Sequence, residues 1–192
     1  MPDPMITYSA LRAGGACVSG LRAALRDLRC SGVSITRRYS QAAVPLSEIL
    51  RVLGVERALD AIYYTRLDLP WLRLYACDCA ELALLRERAE GREPDPRSWA
   101  AIAVSRRYAR GEATAGELAA AGAAAGAAAG AAARVALQMA ARAAGDVARA
   151  AMAARAAWGA WAVWGARDAE RQWQAERLAW YLHASEEEVF GA

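Results

Sequence analysis

Apolar residues recur at three- and four-residue spacing along most of the chain, the period of helices that bury one face. Leu11, Val18, Leu21, Leu25 and Leu28 mark a first helix. Ser9 is placed to cap it, Gly14-Gly15 weakens its first turns and Ser31-Gly32 stops it. Val33 to Thr36 alternates apolar with polar but has no evident strand partner, so it reads as a connector. Pro45 opens a second helix with a stripe of Leu46, Ile49, Leu50, Leu53, Leu59 and Ile62, broken at Gly54-Val55. A third is capped by Asp68, tolerates Pro70 in its first turn and runs to about Ala89, with Leu72, Tyr75, Ala76, Cys79, Leu82 and Leu85 on one face.

Gly91 to Pro96 combines two prolines, a glycine and charges, and is the clearest loop. Trp99, Ile102, Ala103 and Arg106 then share a helical face up to Gly111. Thr114 followed by Glu117 is a capping-box signal for an Ala-rich tract that continues to His183. A single helix of that length would measure about 105 Å, more than a compact domain can span. Gly145-Asp146 pairs a C-terminal glycine with an N-cap aspartate, so two antiparallel helices meeting there are expected.

Within the tract, Gly122, Gly126 and Gly130 recur every four residues and predict a face on which another helix packs closely, in the same chain or in a second copy as a homodimer. Trp158, Trp161 and Trp164 step by three and fan over about 120° of a helix, too broad for one neighbour to cover. They are the first candidates for partner binding. Trp173 and Trp180, seven apart, fall on one face and are expected in the core.

Composition narrows the chemistry. All 24 basic residues are arginine, against 21 carboxylates, and the net charge is +3. This is far from the strongly basic balance of a dedicated nucleic-acid binder, so nucleic acid is not the expected partner. Arg106, Arg107 and Arg110 form a compact basic cluster suited to phosphate or an acidic protein surface. Cys17, Cys30, Cys77 and Cys79 come without an apolar leader, which points to reduced cytosolic thiols. Cys77 and Cys79 lie about 200° apart on a helix and the chain has one histidine, so a zinc site is hard to assemble and both read as buried small hydrophobes. No metal, cofactor or catalytic residue is expected: His183 has no nucleophile near it in sequence, and no phosphate loop or nucleophile elbow is present. The longest charge-free run of the tract, Leu118 to Ala133, is too short and too weakly apolar for a membrane span.

Leu72-Arg-Leu-Tyr-Ala-Cys-Asp-Cys-Ala80, Arg106-Arg-Tyr-Ala-Arg-Gly-Glu-Ala-Thr114, the Ala-rich tract punctuated by Trp, and Arg171-Gln-Trp-Gln-Ala-Glu-Arg-Leu178 together resemble bacterial and phage accessory proteins of the immunity-protein type. Gly15 to Arg22 is similar to the start of many small phage accessory proteins. The resemblance covers about two thirds of the chain and brings no catalytic residues; it departs at residues 122–130, where such proteins tend to carry aromatic side chains. It implies a mobile-element protein that acts by binding, as an inhibitor of a bacterial effector such as a CRISPR complex or a toxin.

The expectation is an all-α fold: a helical subdomain over residues 1–90, a linker loop at 91–96, and an Ala/Trp-rich helical hairpin over 97–192. The expected function is non-enzymatic inhibition of a bacterial protein or ribonucleoprotein effector in the host cytoplasm. The alternatives are a nucleic-acid-binding regulator using the Arg cluster, and a self-associating structural protein.

Overall fold

The computed structural model describes residues 2–36, 38, 41–67, 69–128 and 167–191, and these are mostly helical. The element order is β1 (Met5–Thr7), α1 (Tyr8–Ala13), α2 (Val18–Cys30), β2 (Ala43–Pro45), α3 (Leu46–Thr65), α4 (Trp71–Ala89), α5 (Pro96–Ala109), α6 (Ala115–Ala128), α7 (Arg167–His183) and α8 (Glu186–Phe190). The hinge expected at Gly145-Asp146, the third glycine Gly130, the Trp158, Trp161 and Trp164 fan, and the Asp68 cap lie outside the described residues. Among the described residues no helix is long and apolar enough to cross a membrane.

Two compact units form, Met1–Leu67 with Glu170–Ala192, and Asp68–Ala169. The Gly91–Pro96 turn therefore lies inside the second unit, between two helices that pack on each other.

In the first unit the expected single N-terminal helix is two helices. Gly15 takes φ 97°, a conformation costly for any side chain, and the chain turns there. Thr7, not Ser9, caps α1 by accepting from the Ala10 amide at 3.2 Å, and the Cys17 sulfur takes the same role for α2. Gly14 lets α1 lie against the end of α3, since a Cβ there would stand 1.8 Å from the Tyr64 carbonyl oxygen.

A two-stranded antiparallel sheet, not anticipated from the pattern, pairs Ile6 with Val44 and buries both. It also solves a capping problem. Pro45 offers α3 no side-chain cap, and Asp3, just ahead of β1, instead accepts from the Ser47 amide at 3.3 Å and from its hydroxyl at 2.5 Å. The expected break in α3 is present: Gly54 sits at φ 82°, ψ 174°, essentially reserved for glycine, and divides the helix in two. Leu46, Ile49, Leu50, Leu59 and Ile62 are buried as their spacing predicted.

In the second unit α5 packs on α4 and on α6. Cys77, Ala80, Ala83 and Leu84 of α4, Ala101 and Ile102 of α5 and Ala125 of α6 make one core, with Trp99 and Ala121 against it. The buried set on α4 differs from the predicted stripe. Leu85 is exposed and Leu82 half-buried, because the first half of α4 is buried on nearly every side and no single stripe describes it. The capping box is present: Thr114 and Glu117 exchange bonds, amide to carboxylate at 2.7 Å and amide to hydroxyl at 3.2 Å. On α6 it is Leu118 and Ala125 that are buried, with Ala121 against the core; Gly122 lies half-buried next to Ala121, and Gly126 follows Ala125.

Candidate functional site

The Arg cluster comes from the last turn of α5 and the corner beyond it, which Gly111 completes at φ 78°. Its three members do different things. The Nη2 of Arg106 donates to Asp78 Oδ1 at 2.8 Å and to Glu81 Oε2 at 2.5 Å, two carboxylates one turn apart on α4. The Asp78 side chain is 10% exposed, Arg106 27% and Glu81 36%, so the group is largely withdrawn from water. Burial opposes the charge on Arg106, but the bonds to Glu81 and Asp78 outweigh it and hold the guanidinium more firmly protonated than usual. Its positive charge thus faces two negative ones, and Arg106 is engaged inside the second unit.

Arg107 turns back on the corner between α5 and α6. Its Nη2 donates to the Glu112 carbonyl at 2.8 Å and lies 3.7 Å from a Glu117 carboxylate oxygen. Arg110 is the C-cap residue of α5 and is exposed. The expected basic patch is divided in the fold into a part-buried charge network, a helix-corner clasp and a solvent-facing arginine.

Cys77 lies on α4 beside the acidic pair, completely buried, and its thiol is pushed up to about 12, chiefly by burial, against a partial pull from Arg106. A thiol so withdrawn from water stays protonated near neutral pH and lacks the thiolate character of a reactive cysteine. Cys79 is also buried, and all four thiols are unbridged.

The aromatic expectation changes as well. Trp173 is half-buried, and Trp180, expected in the core, is 38% exposed. Glu170, Gln174, Leu178, Tyr181 and Leu182 are the buried residues of α7, leaving Trp180 at their margin. It is held there on two sides: the Arg177 guanidinium lies 4.4 Å from its ring centroid, and Tyr181 meets it edge-on at 4.8 Å. The i, i+3 spacing of Arg177 and Trp180 is the sequence signal for this contact. The seven-residue step from Trp173 fixes only a shared face and not which face is covered. His183 is exposed at the end of α7.

No family model matches the chain, and no significant match was found among curated proteins or solved structures.

Proposed function

We propose that the chain is a non-enzymatic binding protein of the mobile-element inhibitor kind, which blocks a bacterial protein or ribonucleoprotein effector by covering part of its surface. The observation that supports this reading is Trp180. It is a large side chain left partly in solvent beside the buried face of its helix, and Arg177 and Tyr181 hold its ring in place before any partner arrives. Trp and Arg are the side chains that dominate interface energetics, and a pre-ordered ring loses little entropy on docking. The Arg106 group fits a nucleic-acid site poorly, since its guanidinium already faces two carboxylates.

The test is protection. In bacteria carrying CRISPR interference or a growth-arresting toxin, the wild-type chain should restore phage plaquing or colony formation against at least one effector of a panel. Trp180→Ala, shown by far-UV circular dichroism to be folded, should weaken effector binding about thirty-fold, the cost of removing an anchoring Trp. Trp161→Ala with Trp164→Ala tests the expected fan in the same assay. Absence of protection across the panel overturns the reading, and full protection by the Trp180 variant removes this surface from it.

A further inference from the structure

Helix α2 carries the most regular row of positive charge in the first unit. Arg22, Arg26 and Arg29 stand at i, i+4 and i+7. On a helix they fall within about 60° of one another, with axial steps of about 6 Å and about 4.5 Å. Arg22 and Arg26 are exposed, and Arg29 is half-buried with its guanidinium donating to the Thr36 carbonyl, which orients the group. Asp27 lies 3.8 Å from Arg26, but both side chains are more than half exposed, so it screens Arg26 only weakly. Ser19, Ala23 and Cys30 continue the surface and border one concavity with the three arginines; the small Ala23 leaves room between the longer chains. The opposite side of the helix is apolar, with Leu25 and Leu28 buried, so the row is fixed in direction by the core.

We propose that this row docks an acidic helical face of the protein partner. Carboxylates spaced i, i+4 and i+7 on a partner helix repeat the same axial steps and offer each guanidinium a planar, two-oxygen acceptor. The unit that carries α2, residues 1–67 with 170–192, holds eleven arginines against ten carboxylates, so the positive charge offered to a partner is that of the row itself and not of the unit as a whole. A long polyanion is less well matched: the whole chain has a net charge of only +3, and the same unit exposes Glu186, Glu187 and Glu188 on α8. The inference rests on the proposal that the chain binds a protein, and it adds the chemistry of what is bound.

The test uses the full chain and three fluorescein-labelled probes at low ionic strength: an Ala-rich helical peptide with Glu at i, i+4 and i+7, an isomer of the same composition with Glu spread around the helix, and a duplex DNA. The patterned peptide should bind best, its affinity should fall with salt, and Arg22→Gln/Arg26→Gln/Arg29→Gln should weaken it about tenfold, as expected for three exposed charge pairs. If the triple variant does not fold, Arg22→Gln/Arg26→Gln should still lower affinity severalfold. Equal binding of the two peptides, equal binding by the variants, or tighter binding of DNA with a log–log salt slope near −3 overturns the inference, the last in favour of phosphate recognition. Wild-type protection without binding of the patterned peptide refutes the arginine row alone, whereas binding of the patterned peptide without protection against any effector overturns the inhibitor reading and leaves the row standing.

Discussion

Replacing Arg106 with Leu removes the cation that bridges Asp78 and Glu81 while keeping an apolar stem. Glu81 is about one-third exposed and can regain water, so its bond contributes at most about 1 kcal/mol. Asp78 loses more: its side chain is only 10% exposed, and a charge-assisted bond to a nearly buried carboxylate contributes about 1.5–3 kcal/mol. The two carboxylates, one turn apart on α4, also repel once the cation is gone. A loss of about 2–4 kcal/mol follows, below the range for a fully buried pair because Arg106 keeps a quarter of its surface in water. The assay is urea denaturation followed by far-UV circular dichroism, with wild type and variant compared at fixed pH and salt. Neutralising the two carboxylates should restore part of the loss, so Arg106→Leu/Asp78→Asn/Glu81→Gln is expected to be more stable than Arg106→Leu alone. A loss under about 0.5 kcal/mol, or a triple variant no better than the single, would refute the assignment of Arg106 to the interior.

Four further outcomes follow from local geometry. Gly14→Ala should destabilise by about 2 kcal/mol or more, because the added Cβ meets the Tyr64 carbonyl oxygen, whereas Gly15→Ala has open space and should cost only about 1–2 kcal/mol for its positive φ; thermal melts of both variants give the comparison. Cys77 should resist iodoacetamide in the native protein while the exposed Cys17, whose thiol is lowered by its bonds to the Gly20 amide and Ser19, is alkylated; equal labelling rates would contradict the packing of α4. Because the Cys77 thiol rises from 9.0 to about 12 on folding, its contribution is fully present below pH 9 and is lost as pH climbs toward 12; wild type should lose stability relative to Cys77→Ala by an amount on the order of 2 kcal/mol near pH 11. Thr114→Ala should cost about 1 kcal/mol by opening the capping box, read as a lower urea midpoint, and an unchanged midpoint would mean that the start of α6 does not depend on it.

Local signals transferred to the fold where the physics is local. The Thr114–Glu117 capping box, the Pro45 start of α3, the Gly54 break and the end of α4 at Ala89 all depend on a few neighbouring residues, and all are present. The strands were not legible, because β1 and β2 have three residues each and their pairing joins segments some forty residues apart that show no alternation long enough to read. Burial on α4 escaped for the opposite reason: a helix covered on most sides has no period to detect. The Arg cluster was visible as composition, but whether an arginine faces water or a carboxylate on another helix depends on a contact between residues 78 and 106 that spacing within α5 cannot show. The i, i+4, i+7 spacing of the α2 arginines stands in the sequence, but that Arg22 and Arg26 face solvent follows from the burial of Leu25 and Leu28 on the opposite side.

Partner contact through Trp180, with the Arg106 group serving the interior, is tested most directly by site-specific photo-crosslinking. A benzophenone amino acid is placed in turn at Trp180, Arg22 and Arg107 of the full chain in cells that it protects. Crosslinking of a single effector from position 180, strong from 22 and absent from 107, is the predicted result. Capture from position 107 alone would contradict it.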